Sequence, residues 1–162
     1  MIDDNVMSAV YRQDVKALDA LLAEGLNIND LDGDNRSILL NALTASKVDP
    51  SFIESLIARG ADVNYQEPVE GWTGLHVVAR DHNVPLGNLL LRSGATIEVE
   101  DVFGNTPLWR AAMSNRASLE MIKLLLAHGA DPDHKNKTGV SPRDLATGFK
   151  QADVLKLYGS RN

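Results

Sequence analysis

The chain has 162 residues, a formal net charge of -6 and no cysteine, and it is 44% hydrophobic. This composition is ordinary for a folded domain. The negative charge argues against nucleic acid or an anionic membrane surface as the main partner, because both attract basic patches. Without cysteine there is no disulfide framework and no thiol nucleophile. No apolar run is long enough to span a bilayer, and the acidic start is unlike a secretory signal, so we expect one soluble, cytoplasmic domain.

A glycine follows each of four apolar segments at nearly constant spacing. Gly25, Gly60, Gly94 and Gly129 are 35, 34 and 35 residues apart. Apolar residues before them recur with helical period, and glycine is favoured just past a helix end because the left-handed conformation costs it little. A period of this length predicts a stacked array of small helical units.

A second motif marks the first helix of each unit. Residues 104–112 read Gly-Asn-Thr-Pro-Leu-Trp-Arg-Ala-Ala, and weaker copies start near Ser37, Thr73 and Ser141. The hydroxyl residue is suited to cap a helix, and proline fits the first turn. These segments resemble the T-P-L-H-x-A motif of ankyrin repeats. The resemblance covers nearly the whole chain and implies an all-α ankyrin-repeat solenoid of about five helix-turn-helix units with projecting loops or short hairpins.

The predicted domain spans residues 1–162, with units at about 1–31, 32–64, 65–98, 99–131 and 132–162. The terminal units are expected to act as caps, and the polar Arg143 and Asp144 of the last unit are expected on its uncovered end. Tyr65–Pro68 is interpreted as an insertion of about two residues in the third loop. Insertions in such arrays often lie on the binding face.

In the family, the histidine of the motif bonds to the backbone of a neighbouring loop. Only His76 retains it here, so we expect a structural role for His76. Leu40, Trp109 and Asp144 replace it in other units. For Trp109 the resemblance leaves two alternatives open, packing against the array or protruding from it.

No catalytic signature is present in the sequence, so we expect no enzymatic activity and no cofactor. The segment 128–134 holds two histidines and two aspartates. It matches the repeat-closing loop of the family, which scatters such side chains. We therefore expect no metal site there.

The resemblance implies a partner protein bound on the concave side, formed by loop tips and by the exposed sides of the first helices. The predicted partner-binding residues, carried over unit by unit, are Asp34, Arg36, Glu70, Trp72, Arg80, Phe103, Asn105, Trp109, Arg110 and Met113, with Ser114 beside them. Trp72 and Phe103 are candidate anchors, because large exposed aromatic residues dominate protein interfaces. For Trp72, packing against the neighbouring loop is an equal alternative.

An acidic set accompanies these positions: Asp32, Asp34, Glu67, Glu70, Glu98, Glu100 and Asp101. It predicts either a ridge that steers a basic partner or merely a solvated edge. The degenerate units resemble those of small bacterial ankyrin proteins, several of which are thought to neutralise a companion toxin. The specific hypothesis is therefore an immunity protein that covers the active site of a basic toxin, such as a nuclease. The alternatives are a general adaptor or regulatory subunit, and a chaperone-like cap for a partner enzyme.

Overall fold

The computed structural model describes residues 2–45, 47–113 and 117–159, and these ranges contain ten α-helices. The helices are α1 (Asp4–Arg12), α2 (Val15–Ala23), α3 (Ile38–Leu43), α4 (Pro50–Ala58), α5 (Gly74–Arg80), α6 (Val84–Arg92), α7 (Pro107–Ala112), α8 (Leu119–Ala127), α9 (Pro142–Gly148) and α10 (Ala152–Tyr158). They form five successive pairs, one in each predicted unit. The projecting loops contain no strand in the described ranges, only an isolated antiparallel bridge between Leu31 and Ser37.

The helix ends follow the predicted local rules. Ser37, Thr106 and Ser141 cap α3, α7 and α9, because each hydroxyl accepts a backbone N–H three residues later, at 3.2, 3.3 and 3.1 Å. Past the second helices, the four periodic glycines have φ between 89° and 108°, a region that glycine adopts without strain. The predicted starts of α3, α7 and α9 and the four predicted helix ends are therefore confirmed.

The array is held together by like helices that stack on each other. First helices pack in the order α1, α3, α5, α7 and α9, and second helices pack from α4 through α6 and α8 to α10. Leucines at the same motif position of the first helices, Leu39, Leu75 and Leu108, are at most 3% exposed. Burial of a side chain of this size contributes about 1.5–3 kcal/mol, so the stacking supplies a continuous core.

Each loop is fixed by one side chain that folds back onto the loop's own backbone. Asp32, Glu67, Asp101 and Asn136 hold these positions, 35, 34 and 35 residues apart. Each accepts backbone N–H groups of its own loop at 2.8–3.0 Å. Asp32 accepts from Asp34 and Arg36, and Glu67 accepts from Val69, Glu70 and Trp72. Asp101 accepts from Phe103 and Asn105, and Asn136 accepts from Thr138 and Val140. The loop tips are thus preformed.

The predicted insertion in the third loop is smaller than expected. Six residue steps separate Glu67 from Thr73, against five between the equivalent residues of the other loops, so one residue is inserted rather than two. The longer side chain of Glu67 spans the longer loop, whereas an aspartate or an asparagine holds each of the shorter loops.

The polar residues of the last unit do not face solvent as predicted. Arg143 is only 9% exposed. Its guanidinium donates to both carboxylate oxygens of Asp133 at 2.8 and 2.9 Å, and to the carbonyls of Tyr158 and Gly159 at 3.1 and 2.6 Å. Asp144 is half-buried, and its carboxylate accepts the N–H of Ser141 at 3.0 Å. The last unit is therefore closed by buried polar bonds, because the end of α10 leaves carbonyls that need donors.

Successive repeat-closing loops are joined by asparagines, except between units three and four. Asn29 and Asn64 each donate to a closing-glycine carbonyl of the next unit at 3.0 Å and accept a backbone N–H there at 2.8 Å. Glu98 takes the equivalent position and accepts the N–H of Asp131 at 2.9 Å. A carboxylate has no proton with which to reach Gly129.

Replacement of Glu98 by asparagine should raise the free energy of unfolding at pH 7 by about 1 kcal/mol, since it supplies the missing donor. Burial raises the pKa of Glu98, so ionisation of this group costs stability once the pH passes above its ordinary value of 4.5. The gain should therefore shrink in acid. His134 lies 3.7 Å from the Glu98 carboxylate and 3.1 Å from that of Glu100. Urea unfolding at pH 7 and pH 4 measures the gain, with Glu100→Gln as the control for a lost contact with His134. A less stable Glu98→Asn protein at pH 7 would contradict this account.

Candidate partner-binding face

The loop tips of units three to five form one continuous edge. The N–H of Val102 donates to the carbonyl of Glu70 at 2.9 Å, and the N–H of Lys137 donates to the carbonyl of Phe103 at 3.0 Å. The Lys137 ammonium adds a bond to the carbonyl of Val102 at 2.8 Å. Gln66 also donates to the carbonyl of Glu100 at 2.7 Å. Bonds between neighbouring loops make this edge a rigid surface.

Three large apolar side chains are exposed on that edge. Val69 is 69% exposed, Phe103 56% and Val102 39%. Backbone bonds join the loops that carry these residues, and the three residues Val69, Val102 and Phe103 are named here the apolar tip patch. An apolar patch on a preformed edge is typical of a protein-binding surface. Val69 was not among the predicted residues. Its position beside Pro68 in the longest loop was the available signal.

Trp72 packs rather than projecting freely. Its ring is half-buried, with the guanidinium of Arg110 at 4.5 Å from the ring centroid and that of Arg80 at 5.0 Å. The ring of His76 stacks at 6.3 Å. Cation–π contacts of this kind contribute about 0.5–2 kcal/mol each. Trp72 therefore joins units three and four.

The two arginines around Trp72 are held by different carboxylates. Arg110 pairs with Asp101, whose side chain is completely buried, and its Nε donates to that carboxylate at 2.9 Å. Arg80 pairs with the exposed Asp81 next to it in the chain, through Nε and Nη2 at 2.6 and 2.9 Å. The first pair is part of the fold, whereas the second lies at the surface of the concave face.

A cavity of about 540 Å³ opens on the concave face between units two and three. It brings together the predicted residues Asp34, Arg36, Glu70, Trp72 and Arg80. The rest of its wall consists of Gly33, Asn35, Leu40, Thr44, Glu67, Val69 and Val77. Phe103 is not part of this cavity. Met113 is exposed, at 44%, at the end of α7 in the next unit, and Ser114 lies outside the described residues.

Similarity to known proteins identifies the family of this chain. The family model described as "Ankyrin repeats (3 copies)" matches residues 42–136. The chain belongs to the ankyrin-repeat family. It is 37% identical over 75% of its length to zygote-specific protein 3 of Chlamydomonas reinhardtii, covering 32% of that protein. A putative ankyrin repeat protein of fowlpox virus is 28% identical over 96% of the chain, and a putative ankyrin repeat-containing protein of Treponema pallidum is 27% identical over 97%.

The chain spans about half or less of the length of these relatives, 46% and 51% in the last two cases. Some partial matches belong to enzymes, such as a glycerophosphocholine phosphodiesterase of Eremothecium gossypii, of which the chain covers 7%. Ankyrin repeats are typically non-catalytic and bind other proteins. Within the described ranges no helix is long and apolar enough to cross a membrane, and no group of three or more histidines and carboxylates could hold a metal ion.

The ankyrin-motif histidine behaves as predicted. His76 is fully buried, its Nδ1 accepts the N–H of Thr73 at 3.1 Å, and its Nε2 lies 3.1 Å from the carbonyl of Asn105 in the next loop. In unit four, Trp109 makes the second of these contacts, the hydrogen bond to the backbone of the next loop. Its indole N–H donates to the carbonyl of Val140 in the following loop at 3.2 Å. Trp109 thus packs, and tryptophan replaces the histidine because it retains the donor.

Replacement of Trp109 by phenylalanine should lower the free energy of unfolding by about 0.5–1.5 kcal/mol, because only the indole donor to Val140 is lost with modest change of packing. Trp109→His, which restores a ring N–H at the family position, should be closer to the original protein than Trp109→Phe. Urea unfolding compares the three. Equal stability of the phenylalanine variant and the original protein would show that the indole bond contributes nothing.

Asn105 is not an accessible binding residue, contrary to prediction. It is 3% exposed, and its side chain lies between Asp101, to which it donates at 3.1 Å, and Asn136, from which it accepts at 2.8 Å. The loop of the next unit covers it. Its role is therefore to join two loops.

The acidic set is not a continuous exposed ridge. Glu67 and Asp101 are buried and Asp32 is half-buried, because these three carboxylates accept the N–H groups of their own loops. Burial by itself would raise their pKa values, but the N–H donors outweigh it and each pKa is lowered. Only Asp34, Glu70 and Glu100 are exposed, with Glu98 half-exposed. Charge steering of a basic partner thus has less support than the sequence suggested.

Proposed function

We propose that the chain acts without catalysis, by binding a partner protein through the apolar tip patch and the adjoining concave cavity. The observation that carries the proposal is the exposure of Val69, Val102 and Phe103 on loops that are bonded to each other. A surface already fixed by hydrogen bonds loses little conformational entropy on docking. The predicted residues Asp34, Arg36, Glu70 and Arg80 then form the polar rim, and Trp72, Trp109 and Arg110 support it.

Replacement of Phe103 by alanine tests this proposal. We expect binding of the native partner, isolated from the host by affinity capture, to weaken about ten-fold or more, which corresponds to about 1.4 kcal/mol. Stability should change little, because the ring is exposed. The matched control is Phe149→Ala, at a phenylalanine 44% exposed in the last unit, away from the patch. Unchanged affinity in a folded Phe103→Ala protein would move the binding face elsewhere.

Neutralisation of a toxin is a specific form of the proposal. A rigid edge can inhibit an enzyme by covering its active site, with no chemistry of its own. The preformed loop surface supports this form of the proposal. The test is to express the captured partner alone and together with this chain. The partner should arrest growth alone, and growth should return with the original chain but not with Phe103→Ala. A partner that is harmless alone excludes toxin neutralisation and favours an adaptor, a regulatory subunit or a chaperone-like cap.

A further inference from the structure

We infer that the array bends at one place, the junction between units two and three, and that this bend sets the width of the concave cavity. Units one and two then move as one body, and units three to five move as another. The bend is a property of the chain alone, and its use in binding rests on the proposed function. Each unit of such an array contacts only its neighbours, so the bonds across a junction decide where the array yields.

The backbone bond that joins neighbouring loop tips is missing at this junction. In units four and five, the residue after the side chain that fixes the loop donates its N–H to a carbonyl of the preceding loop. Val102 donates to Glu70 and Lys137 donates to Phe103, at 2.9 and 3.0 Å. The equivalent residue of unit three is Pro68. Proline has no N–H, so the third loop cannot make this bond to the second loop.

A second hydrogen bond is missing at the same junction. His76 of unit three and Trp109 of unit four each place a ring nitrogen near a carbonyl of the next loop, at 3.1 and 3.2 Å. Unit two has Leu40 at this motif position. A leucine side chain can neither donate nor accept, so the first helix of unit two makes no such bond to the loop of unit three. Two separate positions of the sequence thus weaken one junction.

A single hydrogen bond remains on the loop-tip side of the junction. The Tyr65 hydroxyl donates to the carbonyl of Asn35 at 2.6 Å, and no other hydrogen bond joins residues 31–45 to residues 65–80, all of which the structure describes. On the opposite side, the Asn64 side chain still bonds to the next closing loop at 3.0 and 2.8 Å. The junction is therefore held at the closing loops and able to open at the loop tips, which is the geometry of a hinge.

The junctions on either side are held more firmly. Arg59 of unit two pairs with Asp19 of unit one through Nε and Nη2, at 2.7 and 3.0 Å. The Gln13 side chain of unit one donates to the carbonyl of Lys47 at 2.6 Å and accepts the N–H of Asp49 at 2.7 Å. Between units three and four, the loop bonds, the imidazole bond and the cation–π contact described above act together. Only the junction between units two and three has lost such contacts.

The concave cavity lies at the hinge. Residues 33–36 of the second loop line one side of it, and Val69 and Glu70 of the third loop line another. Rotation at the hinge changes the separation of these two sides, whereas the edge formed by units three to five keeps its shape. The cavity can thus adapt to the side chains of a partner, and a partner that fills it selects one opening of the hinge.

Pairs of spin labels measure the bend directly, because the chain has no cysteine of its own. The pair Asp34→Cys/Phe103→Cys spans the hinge, and Glu70→Cys/Thr138→Cys is the matched control. All four side chains are exposed, and each lies three residues before the residue that caps the first helix of its unit. Both pairs are two units apart. Double electron–electron resonance on the full chain should give a broader distance distribution for the first pair than for the control pair.

Two substitutions at the hinge should change the first distribution in opposite directions. Pro68→Ala supplies the missing N–H and should narrow it to the width of the control pair. Tyr65→Phe removes the remaining hydrogen bond and should broaden it further. The control pair should keep its distribution in both variants, which also shows that they are folded. Equal widths of the two pairs in the original chain, or an unaltered width of the first pair in either variant, would overturn the inference.

The hinge and the proposed function can fail separately, because the spin-label measurement needs no partner. A broad first distribution together with full capture of the native partner by Phe103→Ala would leave the hinge standing and move the binding face elsewhere. Equal widths together with lost capture would leave the binding function standing on a rigid array.

Discussion

Replacement of Asp101 by alanine should lower the free energy of unfolding by about 3–5 kcal/mol, the usual cost of breaking a buried ion pair on one side. The Asp101 side chain is fully buried, and the Arg110 side chain that it pairs with is 11% exposed. Alanine would leave the guanidinium with neither water nor a counter-charge. It would also leave the N–H groups of Phe103 and Asn105 without their acceptor.

Urea unfolding at pH 7 measures the loss, and Asp34→Ala is the matched control, since Asp34 is an exposed carboxylate on the loop of unit two. Arg110→Met in the Asp101→Ala background should recover part of the stability, because it removes the uncompensated charge and leaves an apolar chain against Trp72. The single variant should also weaken partner binding, because the same carboxylate fixes the loop that carries Phe103. A loss below about 1 kcal/mol would mean that Arg110 finds another partner or water.

The fold was predictable because its signals are local. The spacing of Gly25, Gly60, Gly94 and Gly129 and the hydroxyl caps of the first helices depend on a few neighbouring residues each, so the sequence alone locates them. The observed α2 ends at Ala23, two residues before Gly25, where the glycine predicts the helix end. Each such rule acts through backbone bonds within one turn, where distant parts of the chain have little influence.

The site was only partly predictable because its side chains are placed by the next repeat. Trp72 is covered by Arg110, 38 residues further on, and Asn105 is enclosed by Asn136, 31 residues further on. Neither contact follows from the residues near Trp72 or Asn105. The structural carboxylates, by contrast, had a signal that was missed. Asp32, Glu67, Asp101 and Asn136 recur with the same 34–35 residue spacing as the glycines, which favours a role in every loop over a role in one interface.

Replacement of His76 by leucine should lower the free energy of unfolding at pH 7 by about 1–3 kcal/mol, since the carbonyl of Asn105 and the N–H of Thr73 lose their partner while buried. Leucine is the suitable replacement because Leu40 holds the same motif position in unit two and is buried there. It fills space without hydrogen bonding. The loss in free energy of unfolding would thus measure the hydrogen bonds of the imidazole rather than the effect of a cavity.

His76→Leu should also reduce the amount by which the free energy of unfolding falls between pH 7 and pH 5. Burial lowers the pKa of His76 below its ordinary value of 6.5, although the carbonyl of Asn105 and the charge of Asp101 oppose the shift. Below pH 6.5 the imidazole is therefore protonated more readily in the unfolded chain than in the folded chain, and the free energy of unfolding falls as the pH drops. Burial shifts the pKa of His82 the same way, so His82→Asn is the control, with asparagine suited to the positive φ of 54° at that position. Urea unfolding at both pH values separates the two histidines. A drop that disappears in His82→Asn and persists in His76→Leu would assign acid sensitivity to the turn before α6 instead of the junction between units three and four.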